Sequence, residues 1–301
     1  MKNLVRNVFR RFGYDIIKTG VPYVAKSKKP VTINVGKFRI EMPGNNIQRS
    51  NYIIFPDLNA QLGRLASVIY NKYSDMAAVD IGANVGDTIA VIKSFVNIPV
   101  VGIEGDDISF DYLTKNIQQF SNVSIVKAFL GERSETITAN FSSVGWNTTI
   151  SPSEKGADQV LIRTLDDVIS NEIKRDLNYK LLKSDVEGFD TIVLRGATQI
   201  IKKYKPVLFL EYNRTIMKRN GEEGLSTIFS FRDLGYDKIV FFDHVGTLLL
   251  STSLANKEVI THLHEYISSD KNLLGYLDIA IFHESDTDIS EQYIEGERKY
   301  L

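Results

Sequence analysis

The stretch Val79-Asp80-Ile81-Gly82-Ala83-Asn84-Val85-Gly86-Asp87 limits the possible folds more than any other part of the chain. An apolar run leads into it and an amphipathic run leaves it, so it reads as a turn between a strand and a helix. Gly82 and Gly86 allow backbone angles, and an approach to a ligand, that a side chain would block. The amide of Asn84 can fix the turn. The spacing is Gly-x-x-x-Gly, not the Gly-x-Gly-x-x-Gly that wraps a pyrophosphate at a helix N-terminus. Asp80, at the strand end, would repel a diphosphate but suits a ligand carrying an ammonium and a sulfonium.

From residue 76 onward, short apolar runs alternate with amphipathic ones. Strands are predicted at Ala77–Ile81, Val100–Glu104, Val123–Ala128, Lys180–Asp185 and Val207–Glu211. Helices are predicted at Thr88–Val96, Asp107–Phe120 and Thr191–Lys203, with Asp107 as an N-cap. Such alternation implies a doubly wound, mostly parallel sheet covered on both faces, with ligands at the carboxyl ends of the strands. The later strands Lys238–Asp243, Thr247–Ser251 and Asp278–His283 suit an antiparallel edge. Upstream, residues 31–43 alternate around Gly36 and Asp57–Tyr73 reads as a helix. The expected division is an accessory or lid segment at 1–75, the main α/β domain at 76–285 and an acidic tail at 286–301.

Composition narrows the function classes. Hydrophobic residues at 43% and charged residues at 24% are ordinary for a globular protein. The absence of cysteine excludes disulfides and thiolate metal sites. Residues 1–30 carry eight basic side chains against the single acid Asp15, so with a net charge of -1 the rest of the chain is acidic. An acidic body lacks the basic stripe of a nucleic-acid groove, and no nucleic-acid partner is expected. Leu4, Val5, Val8, Phe9 and Phe12 recur at helical spacing opposite Lys2, Arg6 and Arg10. Residues 1–20 therefore read as a basic amphipathic helix. It packs on protein or, on the alternative reading, makes peripheral contact with the inner membrane face. No apolar run approaches the roughly 20 residues needed to span a bilayer, and arginines interrupt any signal-like core, so a cytoplasmic location is expected.

A second acidic strand end, Glu104 in Ile103-Glu104-Gly105-Asp106-Asp107, follows Asp80 at a distance that suits a carboxylate accepting the hydroxyls of a ribose. With these two blocks, Arg163-TLDDV-Ile169, Leu181-LKSDVEGF-Asp190 and Pro206-VLFLEY-Asn213, the chain resembles the FkbM family of methyltransferases over about residues 77–215. The resemblance implies a Rossmann-like class I methyltransferase fold, S-adenosylmethionine as cofactor and methyl transfer to a hydroxyl, frequently on a saccharide or natural product. It would place Asp80, Gly82, Asn84, Gly86, Asp87 and Glu104 around the cofactor. The acceptor it leads one to expect is a saccharide, such as a surface polysaccharide or its precursor, or another small molecule. A homo-oligomer is compatible with the sequence.

On a strand, Lys183, Asp185 and Glu187 share one face. Asp185 and Glu211 are the catalytic candidates, as a general base beside the acceptor hydroxyl. With Asn213 they could instead hold a divalent cation such as Mg²⁺ through oxygen ligands, although ordering of the loop is the simpler role. Between Phe141 and Asp158 runs a polar segment that reads as a lid or substrate loop, in which Trp146 and Asn147, with Glu187 nearby, are the acceptor-binding candidates. His244 and His283 are reserve bases, while His262 and His264 are read as structural. Two rivals remain. A nicotinamide-dependent oxidoreductase would need the Gly-x-Gly-x-x-Gly turn that is missing here, and a non-catalytic binding protein would have no use for Asp185.

Overall fold

Alternation of side chains along each strand sends every second residue to the opposite face, and both faces of the central sheet here are apolar. A computed structural model describes residues 28–144, 147–152 and 158–301. In chain order the strands are β1 Pro30–Val35, β2 Phe38–Pro43, β3 Met76–Ile81, β4 Val100–Glu104, β5 Val123–Lys127, β6 Phe129–Leu130 and β7 Glu135–Val144. They continue as β8 Asn147–Pro152, β9 Asp158–Arg163, β10 Asn178–Ser184, β11 Val207–Tyr212, β12 Tyr236–Asp243, β13 Leu248–Ser253 and β14 Leu277–His283. Eight of these form one sheet in the order β13-β12-β14-β11-β10-β3-β4-β5. From β11 to β5 every neighbouring pair is parallel, whereas β14 runs antiparallel to both β11 and β12. The antiparallel edge expected from the sequence is β13. Val79, Ile81 and Leu208 enter one buried cluster, and Ala78, Leu181 and Phe209 enter the one on the other face.

The chain reverses its direction across the sheet between β3 and β10, and the carboxyl ends of these two strands create the crevice where α/β sheets bind ligands. The N-terminal hairpin β1–β2 sits beside it, with Val35, Ile40 and Met42 in one cluster with Val85 of the glycine turn and Ala90 and Val91 of the helix Asp87–Phe95. Buried Asn116 clamps this layer, because its amide donates to the carbonyls of Glu41 and Val85, both at 2.8 Å.

Several elements differ from expectation. Asp106, not Asp107, caps the helix Asp107–Asn116, its carboxylate accepting the Ser109 amide at 2.9 Å. The single helix expected at Thr191–Lys203 is two, Asp190–Arg195 and Thr198–Tyr204. They break at Gly196, which packs so close to the Gly131 carbonyl that a Cβ would not fit. The expected long loop after Phe141 is largely strand: β7 pairs antiparallel with β8 and β9, in a four-stranded sheet ordered β6-β9-β7-β8. Trp146 and the amphipathic stretch 1–20 lie outside the described residues, and Asn147 opens β8.

Nor do residues 286–301 form a loose acidic tail. Thr287–Glu297 is a helix that buries Ile289, Tyr293 and Ile294, with Glu297 paired twice to Arg64 at 2.6 Å. No helix among the described residues is long and apolar enough to cross a membrane.

Candidate active site

A cavity of about 530 Å³ opens at the carboxyl ends of β3, β4 and β10, within the size range of small-molecule sites. The glycine turn forms its floor. Gly82 has φ +71° and packs against the Asp185 carbonyl with no room for a Cβ. The turn is stitched to its neighbour, since the Gly82 and Ala83 amides donate to the Ile103 carbonyl at 2.9 and 3.0 Å. Asn84 is left-handed at φ +49°, and its buried Oδ1 has no hydrogen-bond partner within the protein. Gly86, at φ +88°, is the N-cap residue of the helix Asp87–Phe95.

Glu104 closes this floor at the tip of β4. One of its oxygens accepts the Asn84 amide and the other the Asp106 amide, each at 2.8 Å. Burial raises its pKa, and these amide bonds pull against that rise. A carboxylate offers about four acceptor positions, so capacity remains toward the cavity it lines. Ile103, Phe129, Leu130 and Ile162 supply an apolar wall beside it.

Asp80 does not face the cavity as the sequence suggested. It is fully buried beneath the turn, with Oδ1 2.9 Å from the Lys183 ammonium and Oδ2 accepting the Thr88 hydroxyl at 2.5 Å. Oδ1 makes no aligned hydrogen bond, so the Lys183 contact there is one of charge. Burial alone would lower the Lys183 pKa, but Asp80 and then Asp185 outweigh it and hold the ammonium well above its ordinary value. Asp87, also buried, accepts the Tyr52 hydroxyl at 3.0 Å, and burial lifts its pKa to about 6.

Lys183, Asp185 and Glu187 all line the cavity, the first from β10 and the two acids from the turn that follows it, not from one strand face. The Asp185 side chain is 38% exposed and lies 3.7 Å from the Lys183 ammonium. Glu187 occupies the left-handed region at φ +53°, an uncommon conformation outside glycine. Burial first, then the charges of Asp185 and Asp190, bring its pKa to about 7.

Glu211 does not join them on the cavity wall. It stands next to last on β11, opposite Asp278 of β14, with its Oε1 buried and unpartnered. Burial and the neighbouring carboxylates raise its pKa well above the usual range. Asn213 caps the helix Arg214–Arg219 by accepting the Ile216 amide at 3.3 Å. Among the described residues no group of acids and histidines converges to hold a metal, so the expected Asp185–Glu211–Asn213 set is not assembled.

The histidines separate by topology. His283 ends the antiparallel β14, beside the start of β12 and thus at the opposite edge of the sheet from the cavity. His264 is held between the Tyr212 hydroxyl at 2.8 Å and Glu223 at 2.9 Å. His244 stacks edge-on against Tyr276.

Sequence reasoning missed the roles of Gln48, Tyr52, Asn59 and Thr88. Gln48, Asn59 and Thr88 line the cavity, and Tyr52 binds Asp87 behind it. Only Thr88 carried a signal, as the residue after the glycine motif. The other three lie in the accessory segment, where no local pattern marks a site.

The inserted antiparallel strand, the reversal between β3 and β10, and an acidic strand tip clasping a Gly-x-x-x-Gly turn together define the Rossmann-like fold of class I methyltransferases. The chain belongs to the methyltransferase FkbM domain family, whose match covers residues 80–238. No curated protein matches it. Similar solved structures include methyltransferase FkbM from Methylobacillus flagellatus KT, at 16% identity and TM-score 0.37, covering 77% of this chain. This chain spans about half of that one, 52%. TYW2 from M. jannaschii, in complex with AdoMet, is 12% identical with TM-score 0.41 and 88% and 91% of the two chains covered. The plantazolicin methyltransferase BamL, in complex with a triazolic desmethylPZN analog and SAH, is 11% identical with TM-score 0.38 and 75% and 84% covered.

Proposed function

We propose that this chain is an S-adenosylmethionine-dependent O-methyltransferase acting on a hydroxyl of a saccharide, such as a surface polysaccharide or its precursor, or of a natural product. The observation that carries this reading is the clasp of Glu104 on Asn84 at the floor of the cavity. It leaves a carboxylate with spare acceptor positions and an orphaned Asn84 amide oxygen where a ribose and an amino-acid group would lie. These donors and acceptors fit the adenosyl cofactor. Glu104 would accept the ribose hydroxyls, the wall of Ile103, Phe129 and Leu130 would cover the base, and Asn84 would meet the amino-acid end. When bound, the cofactor supplies an electrophilic methyl group.

The chain's own tasks are then alignment and proton removal. Asp185, on the cavity wall, accepts the proton of the acceptor hydroxyl at a carboxylate oxygen. Lys183, paired with Asp80 and 3.7 Å from Asp185, holds that side chain in place at the cavity. The basic residues 1–20 would bring the enzyme to a membrane-borne acceptor. Deleting them should then release it from membrane fractions.

Calorimetric titration with S-adenosylhomocysteine and with NAD tests the reading. The first should bind and the second should not, and Glu104→Gln should weaken the first at least tenfold, about 1.4 kcal/mol. NAD binding without S-adenosylhomocysteine binding would replace this reading with the oxidoreductase.

A further inference from the structure

One part of the cavity wall comes from outside the residues that the family shares. Gln48 and Asn59 line it, yet both precede the family match at residues 80–238. Each is held in place by the fold. The helix Ile47–Ile54 begins at Asn46, whose side chain accepts the Gln48 amide at 2.8 Å, so Gln48 sits in its fixed first turn. Asn59 occupies the left-handed region at φ +64°, and its amide donates to the Tyr52 hydroxyl at 3.4 Å. Tyr52 is buried and donates in turn to Asp87, in the first turn of the helix that follows the glycine turn. This chain of bonds ties the accessory segment to the first turn of the helix Asp87–Phe95.

We propose that Gln48 and Asn59 are the acceptor-binding, specificity-determining residues, and that they select a neutral, hydroxyl-rich acceptor. This rests on the reading of the cavity as a methyl-transfer site. A cofactor shared by a family is held by shared residues, whereas the acceptor varies from member to member. Wall residues upstream of the shared region therefore fall to the acceptor. Their chemistry states its class. A carboxamide both donates and accepts, which matches a hydroxyl, and it carries no charge to pair with a phosphate or carboxylate. Asp185 and Glu187 on the same cavity repel an anionic acceptor. Two cations of the wall are already paired, Lys183 with Asp80 and Arg195 with Glu132 and Glu222. The third cation of the wall, Arg133, stands between β6 and β7, with the acids Glu132 and Glu135 beside it in the lining.

The test compares the full-length chain with Gln48→Ala, Asn59→Gly and the double variant. Alanine suits the helix at 48, and glycine keeps the left-handed backbone at 59 while removing the amide. Affinity for S-adenosylhomocysteine should stay within twofold of the unaltered chain. Transfer of tritium from methyl-labelled S-adenosylmethionine into a saccharide extract of gene-deleted producer cells should fall at least tenfold at low extract concentration. It should recover as the extract is raised, because the loss is in acceptor binding. After acid hydrolysis the label should sit in neutral sugar residues. A tenfold loss of S-adenosylhomocysteine affinity in the variants would assign the two residues to the cofactor and overturn the proposal, as would unchanged transfer or label confined to sugar phosphates or uronic acids. Should Asn59→Gly unfold, Gln48→Ala alone carries the same expectations. Failure of the unaltered chain to bind S-adenosylhomocysteine is a different result and removes the cofactor reading itself.

Discussion

Lys183 shows how a single side chain can be conspicuous in a sequence while its role stays hidden. It reaches the cavity with Asp185 and Glu187, which stand not on the strand but in the turn after Ser184, so period two along β10 is not what gathers the three. Its partner Asp80, however, stands about a hundred positions upstream on β3, and only the parallel register Lys183↔Asp80 brings the two together. For this reason Asp80 reads in isolation as a ligand contact, when its carboxylate is in fact buried beneath the turn. Lys183 is 3% exposed and Asp80 wholly buried, so removing the cation strands a charge in a low-dielectric interior. Lys183→Met is expected to cost about 3–5 kcal/mol. The double variant Lys183→Met with Asp80→Asn should recover much of that loss, since no uncompensated charge remains. Urea unfolding of the four chains measures the coupling. Equal losses in the single and double variants would show that packing, not charge, holds this pair.

Elements whose pattern is local were legible, and those whose stability comes from distant partners were not. The β3 turn and the strands around it could be read because apolar runs and glycines mark them directly. Gly82 is required by more than its dihedral. A Cβ there would collide with the Asp185 backbone, which cannot yield without parting β3 from β10. Gly82→Ala should therefore cost about 2–4 kcal/mol and abolish binding of S-adenosylhomocysteine. Gly221, left-handed but with open space around it, supplies the control, at about 1–2 kcal/mol for alanine. Similar losses at both sites would mean that the crowding at Gly82 relaxes. The C-terminal helix was misread because its acids look solvated. Their partners Arg64 and Lys72 lie more than two hundred residues upstream, on the helix Ala60–Lys72. Tyr293, 1% exposed, packs near Phe242 and Phe282 and donates to the Gln61 carbonyl at 3.0 Å. Tyr293→Ala is expected to cost about 3–5 kcal/mol by thermal or urea unfolding, whereas a true tail would lose almost nothing.

At the scale of the whole molecule, the carboxyl edge of the sheet gathers more carboxylates than cations, and this makes stability depend on pH in an unusual direction. Burial first, then the Asp185 charge, raises Asp190 to about 7, Glu187 to about 7 and Asp278 to about 8. Unfolded carboxylates titrate near pH 4. Between that point and the raised values the folded chain holds protons that the unfolded chain has released, so stability falls as pH rises. His264 and His283 act oppositely, since burial lowers both, but their effect ends near pH 6.5, where unfolded histidine loses its proton. Lys93, lowered by burial to about 8, adds stability mainly above that pH. The window from pH 6.5 to 8 therefore isolates the carboxylates. The unfolding temperature should fall across it, at roughly 2–4 °C for each kcal/mol lost in domains of 150–250 residues. Asp278→Asn keeps an oxygen for the Gln61 amide, which now donates to Asp278 at 3.1 Å, and should flatten the slope. A cationic ligand beside Glu187 would favour its ionised form, so S-adenosylmethionine should stabilise the chain more at pH 8 than at pH 6.5. Stability that is level or rising across this window in the ligand-free chain would show that these carboxyls are solvated rather than buried together.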